Sequence, residues 1–151
     1  MHTVIMAGGK GTRIAQVRAD VPKPMMPVLG KPILEHQLEV LKRQGYTEVT
    51  FVIGHLGEQI KQYFGTGERY GVSIRYIEEE QPLGTAGALY YLKDRIKEDF
   101  LLLNGDIIFD INIDRMLAYH KQKGGIATIL THPNSHPYDS GLVLADRDGK
   151  V

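Results

Sequence analysis

The 151-residue sequence contains no cysteine, which excludes disulfides and thiolate metal sites and fits a reducing cytoplasm. It also lacks an excess of either charge. Eighteen basic residues face eighteen acidic ones, so there is no global pull on nucleic acid or an anionic membrane, and any phosphate site must be local. No run of ~18 apolar residues occurs, and no basic segment followed by an apolar stretch opens the chain. The expectation is a cytoplasmic protein with no membrane and no nucleic-acid partner. The six histidines, at 2, 36, 55, 120, 132 and 136, show no metal-ligand spacing and read as packing or surface residues. There is no internal repeat, low-complexity tract or linker. With 42% hydrophobic residues the chain can bury one core, so one domain spanning 1–151 is expected.

Against these absences, Val4 to Val28 (VIMAGGKGTRIAQVRADVPKPMMPV) is dense with chemistry. An apolar run that reads as a buried strand breaks into a loop holding Gly8, Gly9 and Gly11. Without Cβ atoms these residues can bring backbone N–H groups close to a polyphosphate. Thr12 adds a hydroxyl donor and Arg13 a fixed fork suited to phosphate. Pro22 and Pro24 flank Lys23 and are expected to hold Val21 and Lys23 extended, presenting the lysine from a stiff segment. The loop is neither a Walker A motif, since Thr12 and Arg13 follow Gly11, nor a dinucleotide fingerprint, which would need glycine at Ile14. Taken alone, GGKGTR reads equally as a plain strand-to-helix turn.

Further along, Lys31 to Gln44 places Ile33, Leu34, Leu38, Val40 and Leu41 on one helical face, with Pro32 at its start and Gly45 past its end. Glu48 to Gly54 has the composition of a strand covered on both faces. Glu58 to Phe64 is a short helix, Val72 to Ile77 a strand, Leu83 to Lys97 a glycine-rich turn and helix, and Phe100 to Leu103 another buried strand. This alternation predicts a three-layer α/β fold with a mostly parallel sheet, whose ligand edge is formed by the carboxyl ends of the strands. Two more motifs stand out. In EEEQPLGTAGA, Gly84 and Gly87 flank Thr85 at an expected helix start, a place for an anionic or polar ligand group or simply for close packing on the sheet. In FLLLNGD, Asp106 ends a buried strand and can reach a divalent cation or cap a turn. Asp110 reads as a turn residue and Asp114 as the N-cap of a helix.

Together, GGxGTR with Pro-Lys-Pro, ExxPLGTAGA and LLLNGD resemble the signature of the sugar-1-phosphate nucleotidyltransferases, in the same order and over essentially the whole chain. The nearest likeness is to the mannose- and heptose-phosphate guanylyltransferase branch. The resemblance implies a three-layer α/β/α, Rossmann-like, GT-A-like fold. It implies catalytic roles for Arg13 and Lys23, nucleotide contacts from Ala7, Gly8, Gly9, Gly11, Thr12, Glu79, Gly84 and Thr85, and Mg²⁺ held by Asp106. A sugar pocket would open near Tyr138, Asp139 and Ser140, where the family's Tyr-Gly step is replaced by Tyr-Asp-Ser-Gly. The implied partners are an NTP, GTP favoured, and a sugar 1-phosphate, yielding an NDP-sugar and pyrophosphate. The alternatives are a non-catalytic nucleotide-sensing domain of the same fold or a thymidylyl- or uridylyl-transferring member.

At the C-terminal end, Gly141 to Ala145 reads as a strand, Asp146 to Lys150 as a turn, and Val151 as the first residue of a return strand. The domain is therefore expected to be incomplete there, finished by further chain or by a homo-oligomer pairing along the open edge.

Overall fold

The computed structural model describes residues 1–9, 20–79, 87–133 and 141–151, which divide into two compact parts, Met1–Ile111 and Asn112–Val151. In the first part, strands β1 (His2–Met6), β4 (Glu48–Ile53), β5 (Ser73–Glu78) and β6 (Phe100–Asn104) form a fully parallel sheet in the order β5-β4-β1-β6. A small antiparallel ladder, β2 (Pro27–Val28) with β3 (Lys31–Pro32), precedes helix α1 (Ile33–Arg43). Helix α2 (Gly57–Phe64) joins β4 to β5.

Consecutive crossovers carry the chain from β1 to β4 to β5, and β6 then returns to the opposite side of β1. The winding therefore reverses between β1 and β6. In an open parallel sheet that point leaves a crevice at the strands' carboxyl ends, where ligands bind. Burial agrees with a covered sheet, because Thr3, Val4 and Ile5 of β1 and Val49, Phe51 and Val52 of β4 have no exposed surface. Val4, Val52 and Ile77 pack on one face with Leu92, Leu89 and Ile96. On the other face Phe51 meets Phe64 of α2 edge-on at 5.5 Å. The three-layer α/β reading is thus met.

Helix α1 buries Leu34, Gln37, Leu38 and Leu41, the i, i+3, i+4, i+7 stripe of an amphipathic helix. Each buried leucine contributes roughly 1.5–3 kcal/mol of apolar transfer. The helix ends in a Schellman motif: Tyr46 N–H donates to Leu41 O at 2.9 Å and Gly45 N–H to Lys42 O at 3.0 Å. Gly45, at φ +82°, takes the left-handed position that such an ending requires. None of the helices among the described residues is long and apolar enough to cross a membrane.

Several local expectations are corrected. Strand β6 is not buried on both faces; Leu102 is 40% exposed, and among the described residues nothing pairs with its far edge. In the described part of the Leu83–Lys97 segment the expected helix is a 3₁₀ helix, Ala88–Leu92, and it stops short of Lys97. A three-residue repeat sets Leu89 and Leu92 in line on the core, and two adjacent tyrosines favour α-helix weakly.

In the second part, helix α3 (Ile113–Lys123) is capped by Asn112, whose Oδ1 accepts from Arg115 N–H at 2.8 Å. Asp114 is therefore a first-turn residue and not the cap, because Asn112 is the residue with extended φ/ψ three positions before a free N–H. Asp146 forms the expected turn, with Oδ1 accepting from Asp148 and Lys150 N–H. Gly141 to Ala145 forms no strand: Leu142, Val143 and Leu144 are exposed, and no ladder partner lies among the described residues.

Candidate functional site

Three loops leave the carboxyl edge of the sheet, those after β1 and β6 flanking the point where its winding reverses and the one after β5 at its far strand, and hydrogen bonds across the strand ends fix them. Ala7 N–H donates to Val52 O at 2.7 Å, Gly105 N–H to Met6 O at 2.8 Å, and Glu79 N–H to Ile53 O at 2.8 Å. The loops after β1, β5 and β6 thus start in register along one sheet edge.

The Pro-Lys-Pro segment reaches the same place. Lys23 opens a 3₁₀ turn, Lys23–Met25, instead of remaining extended. The chain reverses here, and the bonds from Met25 N–H to Pro22 O (2.8 Å) and Met26 N–H to Lys23 O (3.0 Å) outweigh the bias that Pro24 puts on its predecessor. Pro24 is buried, and Gly105 is where it fits: a Cβ on Gly105 would lie 2.9 Å from Met6 O, 3.2 Å from Pro24 Cγ and 3.3 Å from Ala7 Cα. Glycine at 105 therefore lets the loops after β1 and β6 and the Lys23 turn close on one another. Their contact brings Lys23 Nζ to 3.7 Å from Asp106 Oδ2, with side chains 26% and 45% exposed.

A second close approach joins the glycine loop to Glu79. A Cβ on Gly8 would meet Glu79 Oε2 at 2.5 Å and Gly54 N at 3.1 Å, and a Cβ on Gly54 would meet Gly8 O at 2.9 Å. Glu79 Oε1 is buried and has no hydrogen-bond partner among the described residues. Such an acceptor is unfavourable by about 1–3 kcal/mol unless something donates to it. Around Gly9, in contrast, no described residue lies within 4 Å of an added Cβ.

Of the sequence-derived site, Ala7, Gly8, Gly9, Lys23, Glu79 and Asp106 are thus brought to one edge. Gly11, Thr12, Arg13, Gly84, Thr85, Tyr138, Asp139 and Ser140 lie outside the described residues. The motif reading missed Gly54 and Gln37. Gly54 is the second half of the Gly8 crossing, flagged in sequence only as the residue ending a buried strand. Gln37 sits in the buried stripe of α1 and holds the Asp106 turn by hydrogen bonds to its flanking carbonyls. A polar residue at a core position of a periodic helix was the available signal.

No group of three His, Cys, Asp or Glu side chains able to hold a metal occurs among the described residues. A single partly exposed carboxylate does not suit zinc or a calcium cage. It suits Mg²⁺, which takes one or two carboxylates and completes its shell with water and phosphate oxygens. A separate cleft between α1 and Ile108–Asp110 contains no residue of the three motifs.

The chain is similar to known proteins along its whole length. The sequence family described as Nucleotidyl transferase matches residues 2–151. UTP–glucose-1-phosphate uridylyltransferase of Synechocystis is 35% identical over the whole of this chain and 42% of its own length. D-glycero-alpha-D-manno-heptose 1-phosphate guanylyltransferase of Campylobacter jejuni is 41% identical over 77% of this chain and 52% of its own. Among solved structures, HddC from Yersinia pseudotuberculosis complexed with GMP-PN superposes with a TM-score of 0.71 at 30% identity, covering 80% of this chain and 54% of that one. The chain spans about half the length of these relatives, or less.

Proposed function

The chain belongs to the Nucleotidyl transferase family, and from that membership we propose that it binds the NTP in transfer of a nucleotidyl group to a sugar 1-phosphate. An oxygen of the sugar phosphate attacks the α-phosphorus of the NTP. The bond to the β-phosphate oxygen breaks, pyrophosphate leaves, and an NDP-sugar forms. No covalent link to the protein is required, so positioning and charge neutralisation carry the rate.

In this reading Lys23 approaches the phosphates from the Pro-Lys-Pro turn, while the backbone at Ala7 to Gly9 lies along the nucleotide. Gly11, Thr12 and Arg13 continue that grip, and Gly84 and Thr85 line the base, as the family resemblance implies. Asp106 would hold Mg²⁺, which when bound screens the phosphate charge and fixes the phosphate oxygens. Tyr138, Asp139 and Ser140 are assigned to the sugar by resemblance alone. The observation that carries the proposal is the convergence of Lys23 and Asp106 at the reversal of the sheet, through the packing of Gly105 on Pro24 and Ala7.

GTP is the favoured nucleotide. Glu79 Oε1 has no donor among the described residues, and guanine offers adjacent N–H donors at N1 and N2 that a carboxylate can accept together. Uracil and thymine offer one N–H between two acceptor oxygens, which a carboxylate repels. The uridylyl-transferring relative supports UTP as the second candidate.

Titration calorimetry with GTP, UTP, dTTP and CTP in Mg²⁺ tests both levels. GTP should bind about tenfold or more tighter, as a charge-assisted hydrogen bond of 1.5–3 kcal/mol implies, and Glu79→Gln should erase that margin. Equal affinities in the unsubstituted protein would remove the base assignment. Absence of binding to any NTP would remove the function.

A further inference from the structure

Gln37 lies between Leu34, Leu38 and Leu41 on the core face of α1 and is 1% exposed. An amide in such a stripe is unfavourable unless its hydrogen bonds are needed. Its Nε2 donates to two backbone carbonyls, Asn104 O at 2.8 Å and Ile107 O at 2.6 Å. These two carbonyls bracket Gly105 and Asp106. From the sheet side, Gly105 N–H donates to Met6 O at 2.8 Å. The turn carrying Asp106 is therefore fastened to β1 on one side and to the middle of a buried helix on the other. Gln37 Oε1 is itself buried without a partner among the described residues. The side chain thus leaves its acceptor unmet while both amide hydrogens serve this turn, and an apolar replacement would orphan both carbonyls instead.

Farther along, α1 holds the same segment by weaker, more exposed contacts. Gln44 Nε2 donates to Ile111 O at 2.9 Å, and Arg43 pairs with Asp110 at 3.4 Å. Those contacts guide the chain away from the sheet. Gln37 alone among them spans Gly105 and Asp106.

We propose that Gln37 is a positioning residue for Asp106, fixing its turn so that the carboxylate is presented to a divalent cation that Gln37 does not touch. The inference rests on the reading of Asp106 as the cation ligand. Hydrogen-bond partners that orient a metal ligand typically change metal affinity 10–100-fold. A residue needed only for folding would weaken all ligand binding together. A positioning residue weakens the metal-dependent part alone.

The experiment measures GTP affinity by calorimetry in EDTA and in saturating Mn²⁺, and takes the ratio as the metal enhancement. Gln37→Met should lower that ratio about tenfold or more while leaving affinity in EDTA unchanged. Asp106→Asn should abolish it. If Asp106→Asn loses the enhancement and Gln37→Met keeps it, the inference falls and the cation reading stands. If Asp106→Asn keeps it, the cation reading falls and takes the inference with it. Equal loss in EDTA and Mn²⁺ for Gln37→Met marks a merely structural residue and also overturns the inference. Should Gln37→Met fail to unfold cooperatively, Gln37→Glu decides: buried against two carbonyls its carboxyl stays neutral and has a single O–H, so it can hold one carbonyl and not both; an enhancement equal to that of the unsubstituted protein overturns the inference and a loss of it with unchanged affinity in EDTA supports it.

Discussion

Lys23 Nζ stands 3.7 Å from Asp106 Oδ2, and the two residues reach each other only because Gly105 lets Pro24 pack against the end of β1. Both side chains keep solvent access. At such exposure an ion pair contributes ~0–1 kcal/mol, too little to explain a lysine held between two prolines as a stabilising device. A charge-assisted contact to phosphate is worth roughly 1.5–3 kcal/mol. Lys23→Ala should therefore change the unfolding free energy by less than about 1 kcal/mol and weaken NTP binding roughly tenfold to a hundredfold. Chemical denaturation and calorimetry on the same variant separate these effects. A stability loss with unchanged affinity would show that the lysine serves the fold.

Gly105 and Gly9 form a matched pair for testing how the loops close. At Gly105 an added methyl would press on a carbonyl oxygen, a proline ring and a backbone Cα, none of which can swing aside, whereas at Gly9 it would meet nothing within 4 Å among the described residues. Gly105→Ala should destabilise by about 1–3 kcal/mol, the usual range for overpacking, and Gly9→Ala by well under about 1 kcal/mol, since its added methyl meets no described residue. Equal stability in the two variants, measured by urea unfolding, would mean that the loops after β1 and β6 do not close on Pro24 as described.

Much of this architecture is legible in the residues themselves. The apolar runs of β1 and β4 could be read as strands covered on both faces because period and composition agree there, and α1 because its stripe repeats at helical spacing. The ligand edge follows once strands and helices alternate. What escaped depends on partners distant in sequence. Whether Leu102 is covered depends on what lies beside β6 and not on FLLLN. Whether residues 88–92 wind as α or 3₁₀ depends on how Leu89 and Leu92 meet Val4, Val52 and Ile77. At the site, glycines and charges announced themselves by type, but Gln37 did not. Its role appears only when Asn104 and Ile107, 67 and 70 positions away, are folded against it.

The opposite end of β1 sets a dependence on pH. His2 Nε2 lies 2.8 Å from Thr50 Oγ1. Burial lowers the His2 pKa below the ordinary 6.5, the nearby Arg75 charge and the N-terminal amine lower it further, and Glu48 partly offsets them. The unfolded chain therefore binds this proton more readily than the fold does, so stability rises with pH across that interval. The contribution is fully present above about pH 6.5, the unfolded value, and is lost as pH falls toward the lowered folded value. Carboxylates elsewhere titrate too, so the informative quantity is a difference. Between pH 7.5 and pH 5 the melting temperature of the unsubstituted protein should fall further than that of His2→Gln, which keeps a polar group near Thr50 but cannot take up the proton. Parallel falls in both proteins would show that His2 protonates as easily in the fold as outside it. Because His2 sits at the amino end of β1, away from the ligand edge, the same pH change should leave the ratio of GTP to UTP affinity unaltered in His2→Gln relative to the unsubstituted protein.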